Sequence, residues 1–203
     1  CPPGLIKNYF EDAVYFFGGR LNLIPITNKT VKKYKEDGIR RLVSGAPSNT
    51  IFVSDYYFLS SRNRKLFYGF SEINVSLNAE LLREFGFDYV VFDESHWLKN
   101  IKSKRTQATQ RLVSGITYKR EMSGTIISNQ VTDAVGQFSI FDPSLFGDYE
   151  EFLEAYSDVT KGNKSLKWKD NAEREIANKM GENCTFVRVA RKQWAALLPH
   201  KIE

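Results

Sequence analysis

The fold of this chain is decided by the stretch Phe87-Asp88-Tyr89-Val90-Val91-Phe92-Asp93-Glu94-Ser95-His96-Trp97-Leu98-Lys99-Asn100. Tyr89 to Phe92 are all β-branched or aromatic, which predicts a short strand buried on both faces. The run ends in Asp93 and Glu94. Ligands bind at the carboxyl ends of strands in open α/β sheets, where an aspartate can hold Mg²⁺ and a following glutamate can orient water against a phosphate. The alternative is a polar turn that caps the next helix, and these residues alone leave both interpretations open.

The composition is that of a globular protein. The 203 residues are 42% hydrophobic and 14% aromatic, enough to bury the core of one domain or one and a part. No apolar run is long enough to span a bilayer, and the chain opens on Cys1-Pro2-Pro3 with no signal sequence. We therefore expect a piece that begins in mid-protein, without membrane contact. We expect the protein to act inside the cell, in the cytoplasm or nucleoid, or in the nucleus if its source is a eukaryote. We do not expect it to be secreted.

Few residues are available for metal or disulfide chemistry. Cys1 and Cys184 are the only cysteines, and His96 and His200 are the only histidines. This excludes a disulfide framework and a cysteine-based zinc site, and it favours a reducing compartment.

Charge is segregated along the chain, although the net charge is only +5. Residues 95–120 contain seven basic side chains and no acidic one, whereas residues 142–158 contain six acidic side chains and no basic one. A basic block directly after the candidate active strand is suited to following a phosphate backbone. The simpler interpretation is a solvated face.

Apolar periodicity predicts a repeated order of strand, polar exit and helix. The predicted strands are Leu21–Ile26, Thr50–Ser54, Tyr89–Phe92 and Ile116–Met122, and the predicted helices are Leu5–Phe17, Thr30–Val43, Leu77–Phe85, Ser103–Val113, Val131–Phe141, Tyr149–Tyr156 and Ala172–Met180. Ser61–Ser76 has no clear pattern, and Phe186–Leu198 is predicted to be a strand that turns into a helix. The order implies an α/β fold with a parallel sheet and right-handed crossovers.

Six segments, in order along nearly the whole chain, form a set of motifs. They are Cys1–Phe10, Ser54-Asp55-Tyr56, Asp93-Glu94-Ser95-His96 with its trailing Lys99-Asn100, Ser123-Gly124-Thr125 with Asn129, Phe141–Phe152 and Arg188–Glu203. Together they resemble the SWI/SNF-type DNA-dependent ATPases of helicase superfamily two. In the same order, the six segments resemble that family's motif Ia, a strand exit, the DEAH-type box of motif II, motif III, the helical stretch after motif III, and the segment that leads toward a second lobe. Each segment is weak evidence alone, but six segments in the family's order and spacing identify the resemblance.

The resemblance implies a fold and a site. The fold would be the first RecA-like lobe of a P-loop NTPase, a three-layer α/β lobe with a mostly parallel central sheet over residues 1–141, followed by a helical extension over residues 142–203. The cofactors would be ATP and Mg²⁺. Asp93 would hold the Mg²⁺ and Glu94 would orient the attacking water. His96 would relay the nucleotide state to the coupling residues Ser123, Gly124, Thr125 and Asn129. The alternative for His96 is a histidine in a turn whose hydrogen bonds are satisfied locally.

Double-stranded DNA would be the partner of such a lobe. Strand exits and helix starts hold phosphates through backbone amides and basic side chains without contacting bases. The positions expected to contact DNA are Pro2, Gly4, Lys7, Ser54, Asp55, Tyr56, Lys102, Lys104 and Arg105.

The chain departs from the family pattern in three places. Motif III has Ile126 where proline is usual and Ser128 where glutamine is usual, which bears on how hydrolysis is coupled to DNA. Motif II has Trp97 where arginine is frequent. No Gly-x-Gly-Lys-Thr loop occurs, so motif I is expected upstream of residue 1 and the second lobe, with its arginine finger, downstream of Glu203. These 203 residues alone are therefore expected to be inactive.

Three functions agree with these observations. The first is part of an ATP-dependent translocase or remodelling motor on double-stranded DNA. The second is a motor of a restriction or RNA-helicase branch, which the long segment after motif III disfavours. The third is a degenerate lobe that serves as a DNA-binding or scaffold module. Other subunits are unknown.

Overall fold

The computed structural model describes residues 1–68, 71–124, 132–158 and 167–183. Its elements, in chain order, are α1 (Ile6–Phe17), β1 (Asn22–Pro25), α2 (Asn28–Ser44), β2 (Thr50–Val53), α3 (Tyr56–Ser60), β3 (Asn63–Tyr68), β4 (Ser71–Ser76), α4 (Leu77–Arg83), β5 (Tyr89–Asp93), a 3₁₀ turn (Ser95–Leu98), α5 (Lys104–Val113), β6 (Tyr118–Met122), α6 (Thr132–Phe141), α7 (Tyr149–Tyr156), β7 (Ser157–Asp158), β8 (Lys167–Trp168) and α8 (Ala172–Asn183). The predicted helices are present with small shifts at their ends, and Phe186–Leu198 lies outside the described residues.

Two pairs of parallel strands carry the site. β1 pairs with β2, and β5 pairs with β6 so that Phe92 lies opposite Glu121 and Asp93 opposite Met122. A helix connects the two strands of each pair, as parallel pairing requires. The parallel pairing and the helical connections confirm the predicted α/β class.

The core lies on one side of these strands. Helix α5 packs against α3, α4 and α6. The fully buried side chains of Phe58, Leu98 and Ile140 join Phe92 of β5 in one apolar cluster. The apolar cluster therefore supports the carboxyl end of β5 and the turn that follows it.

The prediction that the β5 strand is buried on both faces is wrong. Phe92 and Val90 face the core, but Tyr89 and Val91 are 52% and 42% exposed. On β6, Tyr118 and Met122 are 62% and 44% exposed on the same side. Side chains alternate along a strand, and Tyr89 and Val91 point away from the buried Phe92 side, so the apolar run is half-buried.

Ser61–Ser76, which has no clear pattern in the sequence, is mostly an antiparallel hairpin. β3 pairs with β4 from Asn63 opposite Ser76 to Tyr68 opposite Ser71. The Ser76 hydroxyl then accepts a hydrogen bond from Ala79 N and caps α4. The hairpin thus leads directly into the helix that precedes β5.

The chain divides into two compact units, Cys1–Phe152 and Leu153–Glu203. This boundary falls later than the one predicted after residue 141. In the second unit, β7 pairs with β8, and Lys169 Nζ donates to Glu154 O and Ala155 O at the end of α7. A lysine at this position satisfies carbonyls that the helix end leaves open. None of the helices in the described ranges has the length and apolar character that crossing a membrane requires.

Candidate functional site

The turn after β5 gives Glu94 an unusual backbone conformation. Glu94 lies in the left-handed region, with φ 51° and ψ 52°, and precedes the 3₁₀ turn. Its carboxylate makes no capping hydrogen bond to that turn. Non-glycine residues in this region are costly and concentrate at functional sites. The geometry therefore disfavours the helix-cap interpretation of Glu94.

His96 bridges two strand ends. Its Nδ1 atom lies 3.1 Å from Glu94 Oε2 and 3.2 Å from Ser123 Oγ, which directly follows β6. Adjacent parallel strands bring their carboxyl ends to one edge, which is why residues far apart in sequence meet here. Three of the predicted site residues are therefore in contact. Gly124 follows at the same strand end, and the predicted Thr125 and Asn129 lie outside the described residues.

Two tyrosines lie close to Asp93. The Tyr56 hydroxyl donates to Asp93 O at 2.8 Å, and the Tyr9 hydroxyl of α1 lies near the Asp93 carboxylate. Burial raises the pKa of the Tyr9 hydroxyl, and Asp93 raises it further. Tyr9 could not be placed at the site from the sequence, because a tyrosine on an amphipathic helix gives no signal of its own.

A chain of polar side chains runs beneath the turn. The Ser95 hydroxyl donates to Gln137 Oε1 at 3.0 Å, and Gln137 Nε2 donates to Asp133 O at 3.2 Å within α6. Lys99 Nζ lies 3.4 Å from Asp133 Oδ2. These contacts join the turn to α6 and were not predicted from the sequence.

Helix α6 approaches the turn closely at Gly136. A Cβ atom at this position would lie 2.0 Å from Lys99 O and 2.7 Å from Leu98 O. Only glycine permits this distance between the helix and the backbone of the turn. The glycine thus sets how closely Gln137 and Asp133 stand to the site.

Glu121 lies on β6, opposite Phe92, on the side of the strand that faces the core. Burial raises the pKa of Glu121 to about 8, and a hydrogen bond with Ser95 acts in the opposite direction. A carboxyl group with this pKa is mostly protonated at neutral pH.

An aromatic and basic surface borders the site. Trp97 stacks on Tyr56 with ring centroids 6.3 Å apart, and the Arg105 guanidinium lies 4.8 Å from the centre of the Trp97 ring. His96, Trp97 and Arg105 also line a shallow pocket of about 350 Å³. Lys104, the first residue of α5, is exposed. Tyr56 itself is 1% exposed, and its backbone N–H donates to Cys1 O at 2.9 Å.

The remaining predicted DNA-contact positions are divided between surface and interior. Gly4 and Lys7 are exposed, and Lys7 pairs with Glu11. Pro2 is buried. Asp55 caps α3 by accepting from Phe58 N, so it has a structural role.

Two further predicted positions complete the set. Ser54 O accepts from the Cys1 amine at 2.9 Å. Lys102 Nζ is exposed and lies 4.9 Å from the centre of the Tyr149 ring. The structure brings Tyr56, Trp97 and Arg105 together and leaves the lysines spread over the surface.

The acidic residues at the site fit one metal in particular. Within the described ranges no three His, Cys, Asp or Glu residues cluster as a complete metal cage. Mg²⁺ is bound in nucleotide enzymes by one or two carboxylates together with substrate phosphates and water. Asp93, at the carboxyl end of β5, provides such a carboxylate. It is therefore suited to binding a Mg²⁺ ion whose other ligands are phosphate and water.

Comparisons with known proteins agree on one family. The profile of the SNF2-related domain matches residues 48–203. TATA-binding protein-associated factor mot1 of Aspergillus fumigatus is 26% identical over 157 residues, which are 77% of this chain and 7% of that protein. The DNA repair and recombination protein RAD54-like of Drosophila erecta is 25% identical over 87% of this chain and 20% of its own length. The chain thus spans a small part of these relatives.

A solved structure has the same fold. The Sulfolobus solfataricus SWI2/SNF2 ATPase core in complex with dsDNA aligns with a TM-score of 0.63 and 22% sequence identity. The alignment covers 96% of this chain and 34% of that one. The RecA-like fold expected from the sequence is confirmed by this match.

Proposed function

The chain belongs to the SNF2-related domain family, and we propose that it is part of the first lobe of an ATP-driven motor that acts on double-stranded DNA. The observation that carries the proposal is the contact of His96 with both Glu94 and Ser123. A carboxylate at one strand end is linked to the next strand end through an imidazole. This arrangement suits a site in which hydrolysis at one strand end is communicated to a neighbouring element.

Glu94 is proposed to orient the attacking water. The Glu94 side chain is 42% exposed, so water can reach its carboxylate, and the contact with His96 limits its rotation. Phosphoryl transfer depends mostly on positioning and charge stabilisation, so a fixed acceptor for a water proton is the main demand on the protein. The left-handed backbone at Glu94 supplies that fixed orientation.

Asp93 is proposed to hold Mg²⁺, which when bound neutralises charge on the phosphates of ATP. The Tyr56 hydroxyl fixes the backbone of Asp93 by donating to its carbonyl oxygen. His96 is proposed to carry a change in Glu94 to Ser123 and onward to Gly124, Thr125 and Asn129.

DNA is proposed to bind the surface around Arg105 and Lys104. The Arg105 guanidinium lies 4.8 Å from the centre of the Trp97 ring and is partly exposed, so it can meet a phosphate. Lys104 and Lys102 add exposed charge, and Gly4 and Lys7 are exposed at the other proposed contacts. A phosphate-following surface of this kind binds without base specificity.

The proposed function predicts where this protein acts. As a DNA-dependent motor it would work inside the cell, where chromosomal DNA is found, and in the nucleus if its source is a eukaryote. Its DNA substrate and its direction of movement are open to experiment.

The test replaces Glu94 by glutamine in the full-length protein that contains this chain. Glutamine keeps the shape of the side chain but cannot accept a proton from water. We expect ATP turnover to fall by roughly 100-fold or more while DNA affinity stays within about twofold. Glu154→Gln, an exposed carboxylate on α7, is the matched control and should keep full turnover.

Two outcomes would contradict the proposal. Undiminished turnover in Glu94→Gln would remove this residue from catalysis. A wild-type protein that binds DNA but hydrolyses no ATP would instead support the degenerate DNA-binding or scaffold module.

A further inference from the structure

The Trp97 side chain touches both the basic surface and a side chain beneath the candidate site. The Arg105 guanidinium lies 4.8 Å from the centre of the Trp97 ring, and that ring stacks on Tyr56 with centroids 6.3 Å apart and planes 13° from parallel. These separations are typical of attractive cation–aromatic and offset aromatic pairs. Arg105, Trp97 and Tyr56 therefore form one continuous set of contacts, which we call the Arg–Trp–Tyr stack.

The inner end of the stack is fixed in the interior. Tyr56 is 1% exposed, its hydroxyl donates to Asp93 O at 2.8 Å, and its backbone N–H donates to Cys1 O at 2.9 Å. A side chain that is held at both ends in a close-packed interior cannot shift without moving its partners. A displacement of the Tyr56 ring therefore reaches the backbone of Asp93, the proposed Mg²⁺ ligand.

Trp97 is also connected directly to Glu94. The Trp97 backbone N–H donates to Glu94 O at 3.0 Å within the 3₁₀ turn. The left-handed backbone of Glu94 persists only where its surroundings hold it. The position of Trp97 thus bears on both site carboxylates, on Asp93 through Tyr56 and on Glu94 through the turn.

The outer end of the stack is open to a ligand. Arg105 is the second residue of α5 and is partly exposed, and its guanidinium makes no ion pair in the described part of the chain. Together with Lys99 and Ser103, Arg105 lines the pocket of about 350 Å³. A guanidinium can stack on an aromatic ring and still donate several N–H groups to phosphate oxygens. A phosphate bound at Arg105 would therefore act on the group that contacts Trp97.

We propose that Trp97 is a positioning residue that carries the occupancy of Arg105 by a DNA phosphate to Asp93 and Glu94. A phosphate that holds Arg105 against Trp97 orders the stack and the turn, so the two carboxylates spend more time in their working geometry. The inference rests on the proposed function, which assigns DNA to Arg105 and hydrolysis to Asp93 and Glu94. This connection runs from the DNA surface into the site, whereas the contact of His96 leads from the site to the end of β6.

Substitutions can separate the stack from charge and from side-chain volume. Arg105→Lys keeps the positive charge but lacks the planar group that stacks. Trp97→Phe keeps an aromatic ring between Arg105 and Tyr56, whereas Trp97→Leu keeps only an apolar side chain. Tyr34→Leu is the matched control, because Tyr34 on α2 is 46% exposed and Lys33 Nζ lies 4.7 Å from its ring centre.

The first measurement is the stimulation of ATP turnover by double-stranded DNA in the full-length protein that contains this chain. Trp97→Leu and Arg105→Lys should each lower the ratio of kcat with DNA to kcat without DNA by roughly threefold to tenfold. Arg105→Lys should keep DNA affinity within about threefold, with the same salt dependence, because the charge remains. Trp97→Phe should keep about half of the stimulation or more, and Tyr34→Leu all of it.

The second measurement does not depend on ATP. Adding a DNA duplex to the wild type should slow hydrogen–deuterium exchange of the amides in the 3₁₀ turn Ser95–Leu98. This slowing should be lost in Trp97→Leu and kept in Trp97→Phe.

The two measurements distinguish failure of the inference from failure of the proposed function. A wild type that shows the slowed exchange but hydrolyses no ATP would contradict the proposed function while the positioning role of Trp97 stands. Wild-type stimulation in Trp97→Leu or in Arg105→Lys would overturn the inference and leave the motor intact. Exchange that DNA does not slow in the wild type, or slows equally in Trp97→Leu, would overturn it as well.

Discussion

His96 Nδ1 lies 3.2 Å from Ser123 Oγ, so the turn after β5 and the end of β6 share a side-chain contact. The two residues are 27 positions apart in the sequence, and the parallel pairing of their strands brings them together. The same imidazole nitrogen is 3.1 Å from Glu94 Oε2. A shift of the glutamate on nucleotide binding or hydrolysis would therefore reach the segment after β6 in one step.

The first prediction concerns this contact. In the full-length protein, His96→Ala and Ser123→Ala should each reduce the stimulation of ATP turnover by DNA, and the double variant should be no worse than the more damaged single one. Residues that act through one contact give non-additive effects, with coupling of about 0.5–3 kcal/mol. The measurement is kcat with and without DNA for all four proteins. Ser144→Ala, an exposed serine, serves as the control, and strictly additive losses would contradict the contact.

The second prediction concerns Gly136. Alanine there would place Cβ 2.0 Å from Lys99 O, so α6 must move away from the turn. We expect a loss of about 1–3 kcal/mol in the free energy of unfolding, as found for overpacked interiors. The matched control is Gly181→Ala on α8, where no atom lies within 4 Å and alanine should be neutral or stabilising by about 0.5–1 kcal/mol. Urea denaturation measures both, and equal stability of the two variants would show that the close approach is absent.

The third prediction is a dependence of stability on pH. The folded chain holds the Glu121 proton up to a pKa of about 8, whereas the unfolded chain releases it near the ordinary value of 4.5. Between these values the folded state binds more protons, so the free energy of unfolding falls as pH rises, by at most about 1.4 kcal/mol per pH unit. Above pH 8 this contribution changes no further.

Glu121→Gln cannot ionise and provides the comparison for that prediction. Urea denaturation at several pH values from 5 to 9 should give a steeper decline for the wild type than for the glutamine variant. Taking the difference between the two proteins removes the contribution of every other titrating group. Parallel declines would mean that Glu121 stays ionised in the folded chain.

The fourth prediction concerns the basic surface. Lys104→Ala should weaken binding to double-stranded DNA equally for unrelated sequences and lower the slope of log K against log salt by about one. Lys32→Ala, an exposed lysine on α2, should leave both quantities unchanged. Fluorescence anisotropy with labelled duplexes over a range of salt concentrations provides the measurement. An unchanged slope in Lys104→Ala would remove this lysine from the DNA interface.

The helices and the parallel strands could be predicted because periodicity and strand exits report them directly. Ser61–Ser76 could not, since its residues show no strict alternation of apolar and polar side chains. The burial of β5 was predicted wrongly because an apolar run of four residues does not say which faces are covered. Tyr89 and Val91 look the same in the sequence as Phe92, and only the packing of the helices separates them.

Parts of the candidate site were visible in the sequence and parts were not. Asp93, Glu94 and His96 stand out as polar residues after an apolar strand. Glu121 does not, because on β6 the apolar residues Tyr118 and Met122 predict the opposite face as the buried one. The register of β6 against Phe92 turns Glu121 inward instead, and register depends on contacts that lie far apart in the chain.

The backbone of Glu94 has a consequence for any attempt to make this protein more robust. A left-handed conformation costs an L-residue with a side chain about 1–2 kcal/mol, and glycine would adopt it freely. Glu94→Gly would thus relax the turn while discarding the carboxylate. Under the proposed function, selection for stability and selection for turnover favour different amino acids at this one position, so a sequence optimised for folding alone would discard the proposed catalytic carboxylate.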